Sequence, residues 1–169
     1  MAISSMNFIV GFQTLLFLTI LPLFHCESIH ELLASKGLPP GLVPKDVKSF
    51  NLDENGLLEV HLHAPCFTKF ENRVFFESVF KGNLSYGKLS GLEGLQQEEL
   101  FVWLPIKDII VDDPSSGLIL FDVGVVHKQF SLSLFEDPRD CKPENKQQHQ
   151  QRISYTSGVS RKKNGFDVS

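Results

Sequence analysis

Cysteine is scarce in this chain: three in 169 residues, no two of them in a C-x-x-C spacing. Without such pairs a structural zinc site has no framework, because tetrahedral zinc needs a full set of thiolate or imidazole ligands. Basic residues are also outnumbered. Sixteen Lys and Arg face twenty Asp and Glu, a formal net charge of −4. A negative surface repels phosphate backbones, which excludes nucleic-acid binding as a main role. The nearest approach to a G-x-S-x-G nucleophile elbow is Gly82-Asn83-Leu84-Ser85-Tyr86-Gly87. It has one residue too many and falls at a predicted hairpin rather than a strand-to-helix turn, so a serine hydrolase centred on Ser85 is disfavoured. There is no internal repeat, and past the N-terminal region no apolar run approaches the roughly 20 residues of a membrane-spanning helix.

What the chain does have begins at its start. Phe8 to Phe24 is almost wholly apolar, and no charge interrupts it before Glu27. Pro22 and the small residues two apart in Cys26-Glu27-Ser28 predict a cleaved secretory signal over residues 1–28. That address implies an oxidising lumen, then the cell exterior, the cell wall or a vacuole. The remainder, about 140 residues, suffices for one domain with its own core. Charge is unevenly spread: residues 28–141 hold 10 Lys and Arg against 17 Asp and Glu, while residues 142–169 hold 6 against 2. The tail from Lys142 is Gln-, Ser- and Lys-rich and poor in apolar residues, the composition of a disordered segment.

Cys26 lies at the cleavage site. Cys66 and Cys141 remain, an even number in a secreted chain, and a bridge between them is the expected state; two buried thiols or a metal pair are the alternatives. Ser28-Ile29-His30-Glu31 reads as a capping box that opens a short helix, Ile29 to Lys36, ended by Gly37. Three prolines between Pro39 and Pro44 then dictate a rigid extended connector. Beyond it the apolar period switches to two. Strands are expected at Val47–Leu52 and Leu57–His63 around an Asn55-Gly56 turn. One long strand is expected at Phe67–Lys81, with a turn at Lys81-Gly82-Asn83 and a strand at Leu84–Leu89. A loop follows at Gly91–Gln97, then strands at Leu100–Leu104, Ile106–Val111, Leu118–Val126 and Lys128–Phe135. The fold class is therefore mainly β: a single antiparallel barrel or sandwich of seven or eight strands with one short N-terminal helix.

The order of Ser28-Ile-His-Glu-Leu-Leu33, Gly37-Leu-Pro-Pro-Gly-Leu-Val-Pro44, Ala64-Pro-Cys66, Gly82-Asn-Leu-Ser-Tyr-Gly87, Leu100-Phe-Val-Trp-Leu-Pro105, Val111-Asp-Asp-Pro-Ser-Ser-Gly117 and Phe130-Ser-Leu-Ser-Leu-Phe135 ending at Cys141 resembles the plant family DUF538. The resemblance covers Ser28 to Cys141. It implies a secretory plant protein similar in shape to the lipid-binding barrels of the bactericidal permeability-increasing protein group. It also implies links to stress responses and trichome growth and a suggested chlorophyll-degrading hydrolase activity, with no agreed catalytic residues. Cys66 and Cys141 match the family's cysteine pair; the tail lies outside its pattern.

Three sets of side chains are candidates for function. The aromatic residues Phe67, Phe70, Phe75, Phe76, Phe80, Phe101, Trp103, Phe121, Phe130 and Phe135 would line a cavity for an apolar ligand if the interior is hollow, and fill a core if it is not. His61 and His63 share a strand face and could bind a metal with His127 or Glu59, although a polar outer face explains them as well. Asp112-Asp113 with Asp108 or Asp122 could hold calcium, but a turn before Pro114 accounts for the pair. Asn83-Leu84-Ser85 is a glycosylation sequon. No cofactor is called for. The expected function is a secreted, non-enzymatic barrel that binds a lipid or other apolar small molecule. The alternatives are an interaction module of the cell wall or secretory pathway without a cavity, and a weak esterase.

Overall fold

The computed structural model describes residues 28–124 and 126–143. The expected signal segment and the tail beyond residue 143 lie outside the described residues. Helix α1, Ile29–Ser35, forms because Ser28 and Glu31 cap it reciprocally: Ser28 Oγ accepts from the Glu31 backbone at 3.2 Å, and the Ser28 backbone donates to Glu31 Oε2 at 2.8 Å. Ile29, Leu32 and Leu33 face inward. The proline connector includes a single 3-10 turn, Pro40–Leu42, and buries Leu42 and Val43.

Ten strands follow: β1 Val47–Leu52, β2 Leu57–Leu62, β3 Cys66–Lys69, β4 Arg73–Ser85, β5 Lys88–Glu99, β6 Val102–Pro105, β7 Asp108–Ile110, β8 Leu118–Asp122, β9 His127–Ser131 and β10 Lys142–Pro143. All form one antiparallel sheet in the order β1-β2-β4-β5-β7-β8-β9, with β3 and β10 added beside the first half of β4 and β6 beside the last part of β5. The sheet is open, not a closed barrel. The reason lies in β4 and β5. Their register shifts twice, between Phe76 and Lys81 and between Lys81 and Asn83. Gly91 and Gly94 adopt φ of +61° and +86° at these breaks. Such bulges bend a strand pair, so each long strand serves two half-sheets. The expected turn at Lys81–Asn83 and the expected loop at Gly91–Gln97 are thus interior to β4 and β5, and the chain actually turns at Tyr86-Gly87. The expected single strand Phe67–Lys81 is instead two, folded back at Phe70–Asn72.

One core contains most of the buried residues, among them Leu33, Val60, Phe76, Phe80, Ile109, Ile119, Phe121 and Phe135. A second cluster, Phe67, Phe75 and Trp103, packs separately. The closing segment of the described residues is fastened back to earlier parts of the fold. Lys45 donates its backbone N–H to Arg139 at 2.9 Å, and a Cys66–Cys141 disulfide joins β3 to the residue before β10. Gly41 lies against that closing segment. A Cβ placed there would sit 2.5 Å from the carbonyl oxygens of both Phe135 and Asp137. Because those atoms are backbone, they cannot swing aside. Gly41→Ala is expected to destabilise by about 1–3 kcal/mol, read as a shift in the urea midpoint at unchanged slope. An unshifted midpoint would show that residues 135–137 yield freely.

Candidate functional site

Three hairpins converge at one end of the sheet: β3–β4, β5–β6 and β8–β9. Glu99, the last residue of β5, ties them. Its carboxylate accepts from Asn72 Nδ2 in the β3–β4 turn, from Lys128 Nζ in β9 at 2.5 Å, and from Gln97 Nε2 on its own strand at 2.6 Å. Gln97 is fully buried, and the Glu99 side chain is only 16% exposed. Burial pushes the Glu99 carboxyl up. The hydrogen bonds from Lys128 and Gln97, the Lys128 charge and the Asn72 amide together outweigh burial and hold it below the usual carboxylate range. A carboxyl whose folded value is depressed stabilises the fold above its unfolded value, and that contribution is lost as pH falls through the folded value. The melting-temperature gap between the parent and Glu99→Gln should therefore be largest near neutral pH and shrink in acid, below the ordinary Glu value of about 4.3. An equal gap at both pH values would remove the charge from the explanation.

Next to this knot lies an open cleft of about 340 Å³ lined by Lys69, Glu71, Asn72, Arg73, Glu98, Leu100 and Phe101. Arg73 is fixed by two parallel bonds to Glu98, Nε to Oε2 at 2.5 Å and Nη2 to Oε1 at 2.6 Å, and it stacks 5.5 Å above the Trp103 ring. The Glu98 hydrogen bond raises the Arg73 guanidinium above its ordinary value, so it stays charged at every working pH. Lys69 makes no ion pair among the described residues. Leu100 and Phe101 also line the cleft and are 90% and 76% exposed. A second cleft, about 270 Å³, borders the disulfide and is lined by Asp46, Leu62, His63, Ala64, Cys66, Cys141 and Pro143.

The aromatic candidates divide three ways. Phe76, Phe80, Phe121, Phe130 and Phe135 interlock in the main core, with ring centroids 5.2–6.2 Å apart, and half-buried Phe70 stacks on Phe135 at 4.5 Å. Phe67, Phe75 and Trp103 make the second cluster at 5.1–6.5 Å. Phe101 alone stands at the cleft.

His61 is bonded to Glu59 at 2.7 Å on β2, His63 is exposed, and His127 begins β9 near the opposite margin of the sheet. Among the described residues, no group of three His, Cys, Asp or Glu converges as a metal site. Asp113 caps the 3-10 turn Pro114–Ser116, accepting from the Ser115 N–H at 2.8 Å; Asp108 pairs with Lys88, and Asp122 accepts from Gly124. Ser85 donates to the Lys88 carbonyl at the β4–β5 turn, with no base bonded to it among the described residues. That arrangement does not favour an esterase. Asn83 is exposed, but on β4 rather than at a turn.

Sequence reasoning missed Lys69, Asn72, Arg73, Gln97, Glu98, Glu99, Lys128 and Leu100. Their polar members looked like solvated charges, and Leu100 looked like the start of a strand. Only the fold-back at Phe70–Asn72 brings them together, and the apolar run around it concealed that turn.

No curated protein matches the chain. The family model described as "Protein of unknown function, DUF538" matches residues 29–136, nearly the whole of the described sheet and its helix, and the chain belongs to that family.

Proposed function

We propose that this is a non-enzymatic binding protein of the secretory pathway or cell exterior that takes a lipid or other apolar small molecule with an acidic head. The observation that carries the reading is the cleft between the β3–β4 and β5–β6 turns. Its volume is within the roughly 300–1,000 Å³ typical of small-molecule sites, and its lining combines Lys69 and the Glu98-paired Arg73 with the apolar Leu100 and Phe101, with Glu71 as the other carboxylate. An amphipathic anion suits this mixed lining: its head meets Lys69, which has no ion pair among the described residues, and its tail covers apolar surface now in water. The disulfide is compatible with an oxidising compartment.

Titration with a soluble single-chain lysophospholipid bearing an anionic head, below its micelle threshold, tests the reading. The parent should bind saturably, and Lys69→Glu should weaken binding by about tenfold, the worth of one charge-assisted contact. No saturable binding by the parent, or identical affinity in Lys69→Glu, would overturn it.

A further inference from the structure

We propose that Asn83 is the attachment point of an N-linked oligosaccharide whose sugars cover the outward face of β2 and β4. This rests on the secretory part of the reading above and is independent of the cleft. Strand β4 runs from Arg73 to Ser85, so Arg73 at the cleft and Asn83 stand near opposite ends of it, roughly 30 Å apart along the strand.

Asn83-Leu84-Ser85 has no rival in the sequence: no other asparagine is followed two residues on by Ser or Thr. Leu84 within the motif and Tyr86 after it keep proline out. A sequon is useless in a folded domain that buries its asparagine, and the alternation of β4 does the reverse. Phe80, Gly82 and Leu84 are buried, which turns Val79, Lys81, Asn83 and Ser85 outward, all four exposed. The acceptor amide and the serine hydroxyl therefore share the solvent face. The Asn83 amide has no hydrogen-bond partner among the described residues. Backbone preference does not ask for it either, since asparagine is depleted in strands, and the asparagine that the β1–β2 turn needs is Asn55. The residue opposite is a second pointer. Leu57 faces Asn83 across the β2–β4 pair, about 5 Å away at Cβ in such pairs. It is 37% exposed, and Val79 on the same face is 41% exposed. A first sugar ring on Asn83 is positioned to lay its C–H face over Leu57. The other neighbours are polar, with Lys81 paired to Glu93 at 3.1 Å and His61 to Glu59 at 2.7 Å, so a hydrated oligosaccharide displaces no buried contact.

The donor is an oligosaccharide linked to a polyprenyl diphosphate. Asn83 Nδ2 forms a bond to C1 of the first sugar as the C1–O bond to the diphosphate breaks. The amide proton passes to a base of the transferase, and the polyprenyl diphosphate leaves with the electron pair. In the finished sheet both edges of β4 are paired at this point, Asn83 with Leu57 of β2 and with Ser90 of β5, and the Leu84 N–H donates to the Gly56 carbonyl at 2.8 Å. The sequon is then held extended and cannot bend its hydroxyl against its own amide. The transfer therefore precedes the closing of β4 between β2 and β5, which places it on the chain as it enters the lumen.

Expression of the full chain in plant cells, with the intact mass measured before and after enzymatic release of N-glycans in heavy-oxygen water, tests the inference. The parent recovered from the secretory lumen or the medium should be heavier than its polypeptide and lose the excess on digestion. It should then carry one heavy-labelled aspartate, at position 83. Ser85→Ala, which keeps the asparagine and deletes the hydroxyl, should lose the excess completely; Ser85→Thr should keep it. In hydroxyl-radical footprinting, Leu57 should react roughly twofold faster in Ser85→Ala than in the parent, because a bulky glycan shields it. Parent of bare polypeptide mass in the lumen or medium would overturn the inference and leave the secretory reading standing. Parent found only in the cytosol would overturn both. A mass excess that survives Ser85→Ala would overturn the assignment to Asn83, and equal Leu57 reactivity would overturn the covering of the face.

Discussion

Replacing Cys66 and Cys141 together by alanine is expected to lower the free energy of unfolding by about 4 kcal/mol, the loop-entropy value for a closure of this length. The two residues are 75 apart in sequence, with Cα atoms 5.4 Å apart. Nearly the whole sheet after β2 lies inside that loop. The bond also holds a weak element. Strand β10 pairs with β3 at only two positions, Lys142 with Phe67 and Pro143 with Cys66. Two pairs alone do not hold a strand in place, since fixing each residue's backbone costs about 1–2 kcal/mol. Without the bridge, β10 should leave β3, and the Arg139 contacts to Lys69 and Phe70 should weaken with it. The effect therefore reaches the cleft. Urea unfolding of the double variant against the oxidised parent measures the loss. A difference below about 1 kcal/mol would mean that the denatured chain already keeps these regions close without the bond.

The parts legible in the sequence are those set by local chemistry. The α1 cap depends on residues three apart, and both of its bonds form. The β1–β2 hairpin depends on Asn55-Gly56 and on Asp53, whose Oδ1 accepts from the Asn55 and Leu57 N–H groups at 2.9 and 2.7 Å. Both elements sit where expected. The middle of the sheet was not legible in this way, because glycine at a turn and glycine at a bulge look alike in sequence. Gly82 lies inside β4, where an added Cβ would come within 3.0 Å of the Leu92 side chain and 3.1 Å of the Ser90 carbonyl. It is needed for close approach between strands, not for reversal. The aromatic set was legible as buried material but not as two clusters, since which of Phe75 and Phe76 faces the main core depends on register with β3 and β5. The candidate site was hidden for a related reason. Phe101 looked like one more strand aromatic, and its exposure follows from a turn that its own side chain disfavours.

Phe135→Ala is expected to destabilise by about 3–5 kcal/mol, the range for truncating a buried aromatic. Its ring is 1% exposed and lies 4.5 Å from Phe70, 5.3 Å from Phe121 and 6.2 Å from Phe130. It thus joins the β3–β4 turn to β8 and β9 from a 3-10 turn that belongs to neither. The void cannot be filled cheaply. Phe121 and Phe130 are held by the β8–β9 backbone pairing, Phe121 opposite Lys128 and Phe130 opposite Ile119, and the Phe135 carbonyl rests against Gly41. Phe101→Ala, the same chemical change at the exposed tip, should shift stability by no more than about 0.5 kcal/mol. Equal effects at the two sites would contradict the burial assigned to them. The Gly41 contact adds a sharper test, because neighbouring sites that share a constraint do not add. Once the Phe135 ring is gone, residues 135–137 can move towards the vacated space and away from a methyl at position 41. Gly41→Ala should therefore cost less in the Phe135→Ala background than in the parent, by about 1 kcal/mol. Strict additivity would show that the closing segment is held by its backbone and by the disulfide alone, with the ring filling space but bearing no part of the clasp.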